Sequence, residues 1–169
     1  MMEVENARQG VDPLTAPSVY LAGVSLARYD EHIYLRVCRL WYHRGGFENG
    51  PIKSIHMVVI DRKGGSAHAM VPNHAMHMFA DTLHEGNEYR CTGLRAMSPA
   101  VVLRPVEATH MTYFTRSTTI QRVECDLTSS SFWAYDLTPL SDLAPPNDTP
   151  ARLTDVIGII SSISDVAMV

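Results

Sequence analysis

The feature that most constrains the fold is a set of three alternating segments between residues 33 and 71, each rich in β-branched and aromatic residues. Alternation with a period of two, together with this composition, predicts strands rather than helices. The strands are predicted at residues 33–43, 54–61 and 66–71. The RKGG sequence at residues 62–65 predicts a tight hairpin turn. Pro72 ends the third strand because proline has no N–H to donate to a sheet.

A helix and two more strands are predicted after the third strand. Residues 72–86 repeat apolar side chains at helical spacing, with Pro72 or Asn73 opening the helix and Gly86 closing it. Strands follow at residues 88–97 and 111–124. This order predicts an all-β fold: a five-stranded OB-fold barrel with one helix between strands 3 and 4. An SH3-like barrel lacks that helix, and a ferredoxin-like fold needs two.

The segments that flank these elements predict the domain organisation. Residues 1–25 are interpreted as a flexible lead, residues 26–128 as the OB domain, and residues 129–150 as a helical and proline-rich linker. Residues 153–166 are apolar and β-branched, which predicts one more strand. No secretory signal and no run of 18 apolar residues is present, so the sequence predicts no membrane partner.

The charge is unevenly distributed along the chain. Residues 32–122 contain 11 Lys and Arg against 6 Asp and Glu, whereas the flanks contain 3 against 12. The centre is therefore mildly basic, which suits an anionic partner, and the ends are acidic. Cys38, Cys91 and Cys125 form no CxxC pair, which favours a reducing compartment and three small buried side chains over disulfides or a zinc site.

Five blocks of sequence, taken in order, resemble the large subunit of replication protein A, and most of all its plant-type members. The blocks are IYLRVCRLWYH (33–43), SIHMVVIDRKGGSAHAMV (54–71), MHMFADTLHEGNEYRCTGL (76–94), MTYFTRSTTIQ (111–121) and LTDVIGII (153–160). The resemblance covers about five-sixths of the chain. It implies the first of the tandem OB domains that bind single-stranded DNA. Residues 151–169 would then be the first strand of an incomplete second OB domain, in either a fragment or a truncated paralogue.

An OB fold binds a strand across its sheet between two clasp loops, with aromatic rings that stack on bases and basic side chains that line the groove. Nine residues are candidates for nucleic-acid binding: Arg36, Arg39, Trp41, Arg44, Lys53, His68, Asn73, Arg95 and Arg104. The resemblance implies that Arg36, Trp41 and Asn73 contact the nucleic acid. It aligns His68 with a position where the family often has arginine. The remaining five flank the clasp loops. Trp41 is equally interpreted as a packing residue at the barrel end.

The resemblance also places stacking aromatics at two positions where this chain has Pro72 and Leu103. Each missing stack loses about 1–3 kcal/mol of binding free energy, so the sequence predicts weak binding by this chain alone. Trp41, Tyr42 and Phe47 remain as candidate stacking residues near the first clasp loop.

Two functions follow from these observations. The first is single-stranded DNA binding in replication, repair or recombination, in the nucleus, with RNA not excluded as a ligand and with other replication protein A subunits or repair proteins as partners. The second is a protein-interaction OB module that has lost strong DNA binding. The chain has no P-loop, GxGxxG, HExxH or GxSxG motif, so no enzyme and no cofactor are predicted. His74 and His77 lack a completing ligand, so no metal site is predicted.

Overall fold

The computed structural model describes residues 18–26, 31–46, 49–100, 104–124, 135–143 and 153–162. Within these residues eight strands form one curled sheet. The strands are β1 (Ser18–Val19), β2 (His32–Arg44), β3 (Ile52–Asp61), β4 (Ser66–Pro72), β5 (Glu88–Thr92), β6 (Arg95–Met97), β7 (Met111–Tyr113) and β8 (Thr119–Val123). A short helix, α1 (Asn73–Met76), follows β4, and 3₁₀ turns cover Leu21–Leu26 and Leu140–Asp142.

The strand pairing confirms the predicted OB fold. The order across the sheet is β6-β7-β4-β3-β2-β5-β8, with β1 parallel to β2 and β4 parallel to β7. The other pairs are antiparallel. Since β5 and β6 are joined by only Gly93 and Leu94, they are two pieces of one bent fourth strand. β7 and β8 are likewise two pieces of the fifth, so the five predicted strands are present, with the last two divided.

The bend in the fourth strand depends on Gly93. Its φ of +67° lies in the left-handed region, which favours glycine. A Cβ at this position would lie 2.8 Å from the backbone oxygen of Ser117. Gly93 therefore allows the two divided strands to approach each other closely where both of them turn.

The interior of the barrel is filled by alternate residues of the central strands, as the predicted period of two requires. Buried members from β2, β3 and β4 are Ile33, Leu35, Val37, Ile55, Met57, Val59, Ala67, Ala69 and Val71. Phe114 joins them in the core and packs edge-to-face against Phe79, with ring centres 5.4 Å apart. Leu21 and Val24 are buried as well, so residues 18–24 pack on the barrel ahead of the predicted boundary at residue 26.

The helix predicted within residues 72–86 is much shorter in the structure. Only Asn73–Met76 is α-helical, and the following residues form successive turns, in which N–H groups donate to the carbonyl of either the third or the fourth preceding residue. The apolar residues of this region still face the core, since Phe79 and Leu83 are buried against the barrel. The hydroxyl of Tyr89 donates to the carbonyl of Thr82 and ties this turn region to β5. Tertiary packing therefore overrides helical propensity here.

The hairpin turn predicted at residues 62–65 is confirmed and is organised by Asp61. Its Oδ1 accepts hydrogen bonds from the backbone N–H groups of Lys63 and Gly65, at 2.8 and 2.9 Å. Its Oδ2 accepts a third from the N–H of Leu21 at 2.8 Å. Asp61 thereby joins the turn to the segment that precedes the barrel.

The strand predicted at residues 153–166 is wrong for the part that the structure describes. Residues 153–162 form no strand, and a single parallel bridge joins Asp155 to Leu137. A strand needs a neighbour along its whole length, whereas the described part of this segment makes isolated backbone contacts, at Leu153 with Arg104 and at Asp155 with residues 137–138. The described helices include none long and apolar enough to cross a membrane. Cys38 and Cys91 are buried, as predicted, and Cys125 lies outside the described residues.

Candidate nucleic-acid interface

Most of the predicted binding residues lie on β2, β3 and β4, so the outward side of these three strands is the first candidate surface. A β-bulge between Val37 and Arg39 breaks the alternation of β2. Cys38 packs in an outer cluster with Val58 and Ile60, and Arg39 pairs in register with Val58. Without the bulge, Arg39 and every later residue of β2 would face the opposite side of the sheet.

Three rings on this outer side form a contact cluster, called the histidine–tryptophan cluster: Trp41, His56 and His68. The Trp41 ring stacks on His56 and on His68, with centroids 5.7 Å apart in both pairs and interplanar angles of 25° and 15°. His56 Nδ1 lies 2.8 Å from His68 Nε2, and His56 Nε2 lies 2.7 Å from the hydroxyl of Ser54. These hydrogen bonds hold the rings in place, so the structure brings together two predicted residues and one that was not predicted.

The cluster carries no positive charge at neutral pH. Burial, followed by the nearby His68 and His43, lowers the pKa of His56 to about 4. Burial also lowers the pKa of His68. Neutral rings offer π faces to nucleobases rather than charge to phosphates. His68 therefore does not replace the arginine with which the resemblance aligns it.

The cluster belongs to a longer line of side chains, called the cross-strand row. Its members are register neighbours on five adjacent strands: Trp41, His56, Met70, Tyr113 and Arg95. Each of the five is at least partly exposed. At a strand spacing of about 4.8 Å, the row extends about 19 Å across the sheet. It therefore crosses the strands in the direction in which an OB fold holds a single strand.

Two predicted basic residues, Arg44 and Lys53, lie at the first clasp loop, and Asn73 lies at the start of α1. Arg44 Nη1 donates to the carbonyl of Gly50 at 2.9 Å, which closes the loop between β2 and β3. Lys53 is exposed, and its side chain lies beside Gly45. Asn73 is exposed at the start of α1, directly after Pro72. These three predicted residues remain accessible to a ligand.

Arg36 differs from its prediction as a surface contact. Only 3% of its surface is exposed, and its register neighbours are Ile60 on β3 and Glu88 on β5. Burial among central strands makes Arg36 a structural residue in this conformation. The alternating pattern gave its side of the sheet correctly but not its depth.

Arg39 is occupied by another part of the chain. Its Nη2 lies 2.8 Å from Asp155 Oδ1, and its guanidinium carbon lies 4.8 Å from the centre of the Tyr135 ring. The N–H of Leu153 donates to the carbonyl of Arg104 at 2.8 Å. Arg39 and Arg104, two of the residues predicted to bind nucleic acid, are therefore contacted by residues 135–138 and 153–155 of the same chain.

The second clasp loop, which joins β6 to β7, packs directly on the sheet. Val106 and Ala108 contact the outer cluster of Cys38, Val58 and Ile60, beside Trp41. Trp41 therefore packs against this outer cluster and also stacks on the two histidines, which agrees with its alternative interpretation as a packing residue. Leu103 and Phe47 lie outside the described residues.

Arg95 lies at the far end of the cross-strand row, in an open cleft between β6, β7 and the turn that follows β7. The residues that line the cleft are His74, Arg95, Ala96, Met97, Tyr113, Thr115, Arg116 and Ser117. Arg95 is thereby the one predicted residue in this lining. Among all the described residues, no group of three or more His, Cys, Asp or Glu side chains could hold a metal ion.

Sequence reasoning missed three members of the cross-strand row: His56, Met70 and Tyr113. His56 could have been found, because it lies between the core residues Ile55 and Met57 in an alternating strand and must point outward. Met70 and Tyr113 are neighbours across a parallel pair far apart in sequence. Only the fold places them together.

Comparison with known proteins supports the fold. No family model matches the chain. No curated protein matches it either. A replication protein A heterotrimer bound to single-stranded DNA superposes with a TM-score of 0.52 and 20% sequence identity, covering 65% of this chain and 25% of that chain. The likeness establishes an OB fold of the kind found in replication protein A, and this chain spans about a quarter of that protein's length.

A murine DNA-binding protein bound to double-stranded DNA superposes more weakly. The TM-score is 0.41 at 8% identity, covering 68% of this chain and 52% of that chain. This superposition is too poor to support any inference about the present chain.

Proposed function

We propose that this chain binds single-stranded DNA along the cross-strand row. The single observation that carries the proposal is the row itself: a partly exposed line of rings and one methionine across five strands of an OB sheet, ending in an arginine. Base–aromatic stacking contributes about 1–3 kcal/mol per base and tolerates any sequence. The histidine–tryptophan cluster thus supplies stacking that Pro72 cannot.

The electrostatic part of binding comes from the margin of the row. Arg44 and Lys53 lie at the first clasp loop, and Arg95 lies at the opposite end. Phosphates of a bound strand would release counterions at these cations, so we expect affinity to fall steeply with salt. Because Arg36 is buried and Arg39 is paired, the free chain offers fewer cations than its sequence suggests.

We further propose a role like that of the replication protein A large subunit, of the plant type, in DNA replication, repair or recombination in the nucleus. The order and spacing of the five sequence blocks support it, together with the OB fold. Other replication protein A subunits and repair proteins are the proposed partners. RNA is an alternative ligand, since stacking and phosphate contacts do not distinguish the sugar.

A protein-interaction module is the second candidate, and one observation favours it. The chain already covers Arg39 with its own Asp155 and Tyr135, which is how an acidic and aromatic peptide segment would bind there. A partner protein carrying such a segment would compete for the same guanidinium. This function would need no base stacking.

The test is an oligothymidine titration of the whole chain at several salt concentrations. Trp133→Phe leaves Trp41 as the single tryptophan, and its fluorescence reports stacking directly. We expect quenching that saturates and that weakens as salt rises. Absence of binding at low salt and high micromolar protein would overturn the proposal. Binding without any change in Trp41 emission would exclude the cluster as the stacking surface.

A further inference from the structure

We propose that the cleft at the end of the cross-strand row, lined by Tyr113, Arg95 and Arg116, binds one internucleotide phosphate and the base beside it. This inference rests on the proposed function and extends it to a second subsite, at the end of the cross-strand row away from the histidine–tryptophan cluster. Arg116, the residue that defines this subsite, was not among the predicted contacts. The ligand is a backbone phosphate of a single-stranded nucleic acid, with its base stacked on the Tyr113 ring.

The cleft is positioned to receive a strand that has already crossed the sheet. Tyr113 pairs in register with Met70 on one side and with Arg95 on the other, so it continues the line that begins at Trp41. Both Tyr113 and Arg95 line the cleft. A strand following the row from the histidine–tryptophan cluster would therefore enter the cleft at the fourth and fifth strands.

The break in the fifth strand is what brings Arg116 to this place. The sequence predicts continuous extended structure over residues 111–124, yet the chain turns between β7 and β8. In a continuous strand, the residues after Tyr113 would run on along the sheet, whereas the turn lets Thr115, Arg116 and Ser117 line the cleft.

Hydrogen bonds fix this turn. The hydroxyl oxygen of Thr118, a residue 2% exposed, accepts from the backbone N–H of Thr115 at 2.9 Å. The same hydroxyl donates to the carbonyl of Gly93 at 3.0 Å. Gly93 is also where a Cβ would collide with the Ser117 backbone. The backbone that carries Arg116 is therefore held before any ligand arrives, which lowers the ordering cost of binding.

The chemistry of the lining suits an anion beside a ring. Two guanidinium groups and the His74 imidazole face one space with the hydroxyl-bearing Thr115 and Ser117, and none of the described residues that line it is acidic. A guanidinium binds phosphate through a planar pair of donors, and Tyr113 supplies a π face next to it. A phosphate beside a base would match both the positive charge and the ring of this lining.

The experiment compares Arg116→Ala with Arg122→Ala in the whole chain, using oligothymidine and a series of salt concentrations. Arg122 is exposed on β8, outside the cleft, so the two variants lose the same charge in neighbouring places. We expect R116A to weaken binding about three- to tenfold and to reduce the log–log salt slope by about 0.7. R122A should leave the slope nearly unchanged. R116K should restore most of the slope, because it keeps the charge.

The outcomes separate the two proposals. If the unsubstituted chain binds and R116A equals R122A in affinity and slope, the cleft is not a phosphate subsite, and the proposed function stands. If the chain binds oligothymidine under no condition, the proposed function fails and the subsite fails with it. A second variant, Tyr113→Leu, should weaken binding without changing the slope, because it removes a ring and no charge. A changed slope in this variant would contradict the assignment of the base to Tyr113.

Discussion

In the proposed binding mode, Trp41 is the residue on which base stacking depends most. It is partly exposed and stacks on both histidines of the cluster. We expect Trp41→Ala to weaken oligothymidine binding by about 1–3 kcal/mol, the contribution of one stacked base. Trp41→Phe should recover part of this loss because it keeps a ring. Fluorescence anisotropy of a labelled oligonucleotide measures both variants, and a thermal unfolding curve of each confirms folding. Equal affinity of W41A and the unsubstituted chain would contradict the role of Trp41.

His56 should make the stability of the chain depend on pH. The pKa of His56 is lowered from 6.5 to about 4, mainly by burial. Between these pH values the unfolded chain binds a proton at His56 that the folded chain does not. The free energy of unfolding therefore falls as the pH is lowered through this window. We expect a loss of about 1–2 kcal/mol, allowing for solvent screening at a partly exposed side chain.

Urea unfolding at pH 7, 5.5 and 4.5 measures this effect. His56→Gln removes the titrating group and should flatten the dependence, whereas His77→Gln, at an exposed position in the turn region after α1, serves as the matched control and should not. A pH dependence that is identical in H56Q and H77Q would assign the effect to other groups.

Individual residues also show where sequence reasoning reached its limit. Alternation alone gives the side of the sheet on which His68 lies, because period two is a local property. It gives the wrong side for Trp41, because the bulge between Val37 and Arg39 reverses every later residue of β2. The depth of Arg36 and the pairing of Arg39 depend on what covers them, and these neighbours come from β5 and from residue 155. Because these contacting residues are far apart in sequence, no local sequence pattern predicts the contacts.

Among the structural elements, the divided fourth strand depends on a single glycine. A side chain at Gly93 would be unfavourable for two reasons. The backbone φ is left-handed, and a Cβ would lie 2.8 Å from the backbone oxygen of Ser117. We expect Gly93→Ala to lower the free energy of unfolding by about 2–4 kcal/mol, measured by urea denaturation. Gly64→Ala is the matched control, since Gly64 also has a positive φ but has open space around it. It should cost only about 1 kcal/mol.

Equal losses for the two alanine variants would mean that the close approach at Ser117 relaxes freely. The turn that carries Arg116 would then not be held by Gly93. This comparison therefore tests the structural basis of the cleft independently of any ligand.

Strand existence was predictable, whereas strand continuity was not. The three long strands match their predictions within about two residues at each end, because each has a clear alternating pattern and a turn signal beyond it. The breaks at Gly93 and after Tyr113 arise where the sheet closes on itself. The helix also ends early because of tertiary packing: Phe79 and Leu83 are buried in the core from a region of tighter turns.

At the scale of the whole molecule, the acidic flanks and the basic centre are in contact. Asp155 pairs with Arg39, and its other oxygen accepts from the N–H of Asp136 at 3.2 Å. A phosphate at Arg39 must displace this carboxylate. We expect Asp155→Asn to tighten oligothymidine binding by up to about fivefold, the equivalent of one partly exposed ion pair of about 0.2–1 kcal/mol.

Asp142→Asn is the matched control for this prediction, because Asp142 is exposed, and its hydrogen bond comes from the adjacent Ser141. Both variants remove one negative charge from the same flank, so any long-range effect on a DNA strand should be similar. D155N should increase the affinity for oligothymidine more than D142N does, and this difference should require Arg39. In an Arg39→Ala background, D155N and D142N should therefore bind equally. If D155N keeps its advantage there, Asp155 does not act by covering Arg39, and the acidic flank opposes binding through its overall charge alone.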